Sequence, residues 1–252
     1  MKIIWITGGS SGIGLATAKK FLQNNWKVAI SARNYDKLLK AKEGLLKNSQ
    51  NKHLYVYSCD ISNRNIVAET IEKIIKELGH IDIAILNAAA YSPNKSQEFL
   101  IENYEHLIRV NLNGTLYCIE HLIKKFKNKK SYIALVSSPV GYRGLPTAGA
   151  YGLTKAGLTN LAESLYFDLL KKNIRISVIN PGFIKSDSTN MNSFKMPFLK
   201  SADFAANKIF KGLTGSYKFE IYFPFFFLFL LKIFRILPYK LYFYLVKKIT
   251  RL

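Results

Sequence analysis

The sequence predicts an α/β fold: a single doubly wound parallel sheet, followed by a hydrophobic, basic helical extension at the C-terminal side. Three observations predict it. Short apolar runs alternate with helix-period stretches from residue 2 to about residue 223. Parallel strands need helical crossovers, so strict alternation implies a parallel sheet covered on both faces. A glycine-rich loop, Thr7-Gly-Gly-Ser-Ser-Gly-Ile-Gly14, stands between the first run and the first helix. After Pro224 the alternation stops, and Phe, Leu and Lys dominate. With 252 residues and 49% apolar content, the chain can bury one large core.

The elements follow in order. Residues 2–6 are short, Ile/Trp-rich and ended by glycines, as a buried strand requires. Apolar side chains then recur at helical spacing from Ile13 to Leu22, and residues 26–31 form the second strand candidate. Strands are expected at 54–58, 81–86, 132–136, 174–179 and 217–223. Helices are expected at 64–78, 98–126 and 151–171, with another opening near Ser201. The first domain is expected to span 1–223 and the extension 224–252.

The loop spacing, G-x-x-x-G-x-G from Gly8, suits a phosphate cradle. Glycines let the backbone approach a pyrophosphate while the helix N-terminus faces its charge. Further along, Tyr151 and Lys155 stand at i, i+4 on one helix face, with Ser138 thirteen residues upstream of the tyrosine. An ammonium near a phenol favours phenolate, so Lys155 is expected to lower the Tyr151 pKa toward working pH. Tyr151 thereby becomes a candidate general acid/base.

Taken together, these motifs resemble the short-chain dehydrogenase/reductase family over about residues 2–223. Thr7 to Gly14 matches its T-G-x-x-x-G-x-G loop; Cys59-Asp60-Ile61, Asn87-Ala88-Ala89, Val110-Asn111, Ser138, Tyr151/Lys155 and Asn180-Pro181-Gly182-Phe183-Ile184 follow in the family's order. The resemblance implies a Rossmann-like, NAD(P)-dependent oxidoreductase that interconverts a carbonyl and an alcohol by hydride transfer. It implies that Tyr151 protonates the alkoxide, Lys155 binds the nicotinamide ribose, Ser138 orients the carbonyl and Asn111 holds a water joining Lys155 to solvent. Ser137 competes for the serine role, but the spacing to Tyr151 favours Ser138. The resemblance also implies cofactor contacts from Thr7, Gly8, Ser10, Ser11, Gly12, Ile13 and Gly14, from Asp60 and Ile61 at the adenine, and from Asn87 and Ala88. Tyr151, Lys155, Pro181, Gly182, Ile184 and Ser186 complete the set. Family members usually form dimers or tetramers, so a homo-oligomer is expected.

Three positions depart from the family pattern. Ala89 replaces a glycine, which costs about 1 kcal/mol if the backbone there needs positive φ. Ser186 replaces a common Thr but keeps the hydroxyl. Gly9 replaces a common Ala and is expected to be neutral. Cofactor choice is read after the second strand, where Ser31-Ala32-Arg33-Asn34 has no acidic residue at the position that binds the ribose hydroxyls of NAD. A guanidinium suits a 2′-phosphate. NADP(H) is therefore expected, with NAD(H) as the alternative.

The formal net charge of +21 invites a nucleic-acid reading. Only seven of the 37 basic residues are Arg, scattered without interleaved aromatics, and no nucleic-acid partner is expected. Cys59 and Cys118 fit no metal or disulfide spacing, and the four histidines form no ligand cluster, so no metal is expected. The glycine loop begins by residue 8, so no leader is expected ahead of the first strand, and the expected location is cytoplasmic.

The extension reads differently. The apolar run 221–231 is eleven residues long, short of the ~20 that a spanning helix needs. Two amphipathic helices hinged at Pro238 are expected, carrying Lys232, Arg235, Lys240, Lys247, Lys248 and Arg251. Such helices suit peripheral contact with the inner face of a membrane; packing on a second subunit or on the substrate pocket is the alternative. The substrate loop is expected at 186–200, with Met191, Phe194, Met196, Pro197, Phe198 and Leu199. Gly141, Tyr142 and Leu145 add to the same cleft. This lining favours a lipophilic ketone or aldehyde. The alternatives are a small or steroid-like alcohol handled by a soluble enzyme, and a catalytically idle NADP(H)-binding regulator.

Overall fold

The computed structural model describes residues 1–47, 49–92, 99–127, 129–191 and 196–250. Seven strands form one parallel sheet in the order β3-β2-β1-β4-β5-β6-β7. They are β1 (Ile3–Thr7), β2 (Lys27–Ala32), β3 (Leu54–Ser58), β4 (Ile83–Leu86), β5 (Ser131–Val136), β6 (Ile174–Pro181) and β7 (Glu220–Phe223). The connecting helices are α1 (Gly12–Leu22), α2 (Tyr35–Lys47), α3 (Arg64–Leu78), α4 (Ile101–Leu107), α5 (Gly114–Phe126), α6 (Gly149–Lys171), α7 (Asp187–Asn190) and α8 (Ala202–Thr214). The predicted doubly wound sheet is the fold found.

Strand alternation divides the core into two layers. Ile3 and Trp5 of β1 face a cluster with Ile71 and Ile74 of α3 and Leu122 and Phe126 of α5. Ile4 and Ile6 face the opposite cluster, with Phe21 and Leu22 of α1 and Ile209 of α8. Both sides being covered, β1 is apolar at nearly every position rather than alternating. Helix starts are fixed locally. The Asn63 carboxamide oxygen accepts from the Asn65 and Ile66 amides at 3.0 and 3.2 Å, and the Ser201 hydroxyl from Phe204 N at 3.2 Å.

Strand order reverses between β1 and β4, which pair from Ile4↔Ile83 to Ile6↔Ile85. Connections leave these two neighbours in opposite directions, opening a crevice at their C-terminal ends. The glycine loop, the β4 exit and the β5 exit all lie on this edge.

Several local expectations need correction. The helix expected at 98–126 is two helices, α4 and α5, joined by a π-helical turn at Ile108–Asn113; Glu98 lies outside the described residues. Asn111 sits in that turn with its carboxamide bonded to the Ala90 backbone, and the Thr115 hydroxyl donates to its carbonyl at 2.7 Å. Periodicity could not reveal a single inserted residue of this kind. Helix α2 adds to the expected elements, and only Leu38 of its thirteen residues is buried. The last strand begins at Glu220 rather than residue 217.

Beyond β7 lie α9 (Phe225–Ile236) and α10 (Tyr239–Thr250), separated at Pro238 as expected. Leu228, Tyr242 and Val246 are buried, Leu228 beside Gly182 and the Tyr242 hydroxyl donating to the Gly144 carbonyl, while much of the opposite surface is exposed. Arg143, in the loop after β5, fastens the pair. Its guanidinium donates to the Phe234 and Leu237 carbonyls at 2.5 and 2.7 Å, satisfying acceptors left open at the end of α9. The same group lies 4.0 Å from the Tyr242 ring centroid and 4.8 Å from that of Tyr239. Among the described residues, no helix is long and apolar enough to cross a membrane.

Replacing Arg143 by Ala should lower stability by about 2 kcal/mol through lost charged hydrogen bonds and ring contacts. Limited trypsinolysis should then cut at Lys240 faster than in the parent protein, and Arg143→Lys should not restore protection, since an ammonium cannot span both carbonyls and both rings.

Candidate active site

The glycine loop is shaped by β4 as much as by its own sequence. Thr7 is buried, and its hydroxyl accepts from the Asn87 and Ala88 amides at 2.9 and 3.0 Å. The Asn87 carboxamide donates back to the Thr7 and Gly8 carbonyls at 3.0 and 3.2 Å. Thr7 and Asn87 thus hold the loop through each other. Gly8 has φ +65°, and a Cβ on it would lie 2.9 Å from Ala88 Cα, while a Cβ on Gly14 would collide with the Gly8 carbonyl. The backbone has to pass that close for a bulky anion to approach the start of α1. No acidic residue occupies the first turn of α1, whose cap Ser11 is exposed, and Ser10 and Ile13 are part-buried beside it. This cradle fits a dinucleotide pyrophosphate.

Glycine at position 9 is matched to its neighbour on β2. A Cβ there would stand 2.5 Å from Ile30 Cβ, so the small residue accommodates the large one on β2. Ala89, by contrast, does not have positive φ, and the anticipated backbone penalty does not arise.

The other sequence-nominated residues lie along the same edge. Arg33 is exposed just beyond β2, where Ser31 O accepts from Gly9 N at 3.1 Å; among the described residues it has no carboxylate partner. The Asp60 carboxylate accepts from Ser62 N and Oγ at 2.9 and 2.7 Å, and Ile61 packs on Gly114. Pro181 ends β6, Gly182 N donates to Phe223 O at 2.8 Å, and Ile184 is buried. Ser186 N donates to Thr189 Oγ1 at 2.9 Å, and the Ser186 side chain stands 3.4 Å from the Cβ position of Gly12. Phe194 lies outside the described residues.

At the centre of the edge, α6 runs back against β5. Lys155 is 2% exposed and its ammonium donates to the Val136 carbonyl at 2.7 Å. Ser137 is buried, donating its hydroxyl to Lys155 O at 2.8 Å. Ser138 is part-buried at the strand exit, with its hydroxyl accepting from Val140 N at 3.4 Å. Tyr151 is part-buried, with Lys155 Nζ 5.4 Å from its ring centroid. Asn111 Nδ2 donates to Thr154 Oγ1 at 3.2 Å, tying the π-helical turn to α6.

The electrostatics depart from the simple ion–phenol picture. Burial favours the neutral form of both partners, so it lowers Lys155 from 10.5 to about 7 and raises Tyr151 above its usual value, with the Tyr91 phenol adding to the latter. The protein's own groups therefore do not depress the tyrosine, contrary to the expectation from spacing.

Two groups were not visible in the sequence. Tyr91 packs edge-on to Tyr151, with ring centroids 4.9 Å apart. Glu220 of β7 accepts from the Tyr142 hydroxyl, from Asn180 Nδ2 at 2.8 Å, and from Lys232 of α9. A lone aromatic beside the Asn-Ala-Ala segment and a lone carboxylate in a terminal strand carry no spacing signal. Only the fold brings them to the cleft.

Lys155 gives a pH dependence to stability. Between about pH 7 and its ordinary 10.5, the unfolded chain holds a proton that the folded protein has released. Stability therefore rises with pH across that interval. Urea titrations at pH 7 and 9 should show this gain in the parent protein, and Lys155→Met should lose it.

Similarity to known proteins agrees with this geometry. The family model described as short chain dehydrogenase matches residues 2–196. Carbonyl reductase family member 4 of Xenopus tropicalis is 32% identical over 191 residues, 75% of this chain and 78% of that protein. The 3-oxoacyl-(acyl-carrier-protein) reductase FabG of Thermotoga maritima is 31% identical over 218 residues, 85% of each. The structure of ElxO with NADP bound superposes with a TM-score of 0.79 at 25% identity, covering 88% of this chain and 97% of that one. A glycine loop at the β1/β4 crevice, and a tyrosine and buried lysine one helical turn apart, accompany a family match over most of the chain: this protein belongs to the short-chain dehydrogenase/reductase family of NAD(P)-binding oxidoreductases.

Proposed function

We propose that the protein reduces a lipophilic ketone or aldehyde with NADP(H), using Tyr151 as proton donor. The observation carrying this reading is the placement of Tyr151 and Lys155 on α6, beside the β5 exit that bears Ser138. Bound NADP(H) supplies the hydride. Tyr151 presents its hydroxyl to the carbonyl oxygen and gives up its proton as charge develops there. Its raised pKa keeps the phenol protonated at neutral pH, which suits the reducing direction. Ser138 donates a hydrogen bond to the same oxygen, while Ser137 stays bonded to Lys155 O. Lys155, with a pKa near 7, can take up and release a proton beside the phenol. Asn111 keeps the π-helical turn against α6 and holds the route by which that proton reaches solvent.

The case for NADP(H) rests on Arg33 at the β2 exit, exposed and without a carboxylate partner among the described residues, and on Ala32 in place of an acidic residue. The solved ElxO structure contains NADP. The case for a lipophilic substrate rests on Met191, Phe198 and Leu199, all exposed between β6 and α8, and on the Phe183 and Phe198 rings packed with Phe227 of α9 at 5.8 and 5.6 Å.

NADPH oxidation measured against aliphatic ketones of increasing length should rise with chain length. Tyr151→Phe should lower the rate at every length by about 10²–10⁴-fold while NADPH still binds. A rate independent of chain length would refute the lipophilic assignment, and unchanged turnover by the Phe variant would refute the role of Tyr151. Separately, KM should be lower for NADPH than for NADH, and Arg33→Ala should raise KM for NADPH about tenfold while leaving that for NADH within a factor of two or so. A preference for NADH in the parent protein would overturn the cofactor assignment.

A further inference from the structure

The outward side of α9 has a composition that water does not favour. Phe225, Phe226, Phe229, Leu230, Ile233 and Ile236 recur at helical spacing and are all exposed; Phe225, Phe226 and Ile236 reach 65, 62 and 81%. Arg235 is the single polar side chain exposed on this helix. The opposite side is already occupied, since Leu228 is buried against the sheet domain and Lys232 is paired with Glu220. Helix α10 continues the surface with exposed Tyr239, Phe243 and Tyr244, and adds exposed Lys240, Lys247 and Lys248. A contiguous apolar surface of this extent on a water-facing helix marks an interaction site.

Charge selects the occupant. From Ile221 onward the sequence contains six basic residues and no Asp or Glu. A second copy docked about a two-fold axis would present the same patch, placing like charges together. An anionic lipid surface is complementary to both features: phosphates meet the lysines, and the acyl boundary accepts the aromatics. Each helix has twelve residues, a length of about 18 Å, so the pair can lie on a bilayer but not span it. Phe227, between Phe183 and Phe198, joins α9 to the segment flanking the cleft.

We propose that α9 and α10 form a docking surface for anionic phospholipid bilayers, with the Phe/Leu/Ile stripe of α9 entering the headgroup–acyl boundary and the α10 lysines facing lipid phosphate. Partitioning can be measured without turnover, so this proposal stands or falls independently of the substrate assigned above.

The test is co-sedimentation of the full-length protein with vesicles of phosphatidylcholine, alone or mixed with phosphatidylglycerol, at physiological salt. The parent protein should pellet with the anionic vesicles and far less with the neutral ones. Combined Phe225→Ser, Phe226→Ser and Phe229→Ser should weaken binding at least about tenfold while NADPH binding is retained. Combined Lys240→Glu, Lys247→Glu and Lys248→Glu should abolish the anionic preference, a change of roughly a hundredfold. The single substitution Phe226→Asp replaces the triple serine variant if that chain does not fold. A parent protein that stays in the supernatant with anionic vesicles overturns the proposal, as does binding unaffected by the Phe substitutions. Sedimentation equilibrium provides the remaining arm: a dimer that the serine substitutions convert to monomer, without vesicle binding, assigns the surface to a second copy instead.

Discussion

The reciprocal bonding of Thr7 and Asn87 across the β1/β4 junction is the contact on which the site's geometry rests. The parallel sheet reverses its winding there, so two loops that would otherwise splay are drawn together by one hydroxyl and one carboxamide. That closeness forces glycine at positions 8 and 14, and it points the start of α1 into the crevice. A substitution at Thr7 would act on the cradle by releasing Asn87 and Ala88, not by removing a group that faces solvent.

A second constraint is the burial of Lys155. An ammonium held by one backbone carbonyl, and by no carboxylate among the described residues, is poorly compensated, and a pKa near 7 is the result. The same low-dielectric surroundings keep Tyr151 protonated. Burial therefore fixes the two titrating groups in opposite senses, with a phenol that keeps its proton and an ammonium that readily loses one standing one helical turn apart. Ser137, Thr154 and Asn111 supply the hydrogen bonds that keep this turn in place.

Much of this was legible in the residues. The glycine loop and the Tyr151/Lys155 spacing depend on short-range patterns, and short-range patterns survive in one dimension. The alternation of runs gave the sheet because crossover handedness leaves few topologies, and Pro238 marked the break between α9 and α10 because it cannot continue a helix. What stayed hidden depends on distant partners. The π-helical turn at Ile108–Asn113 exists because Asn111 binds Ala90, and Gly9 is small because Ile30 is large. Glu220 gains its place only when Tyr142, Asn180 and Lys232 arrive from three other elements. The raised tyrosine pKa escapes the sequence for a related reason: spacing reports which groups are neighbours, but not how much water remains around them.

The Arg143 fastening has a consequence in time. Its carbonyl partners lie 91 and 94 residues further along the chain. Synthesis proceeds from the N-terminus, so β1 to β5 can pair while the loop after Ser138 still lacks the groups that hold it. Maturation of the cleft is thus deferred until α9 and α10 have left the ribosome and docked. A nascent chain stalled between β7 and α10 would carry a finished glycine loop beside an Arg143 still without its carbonyl partners.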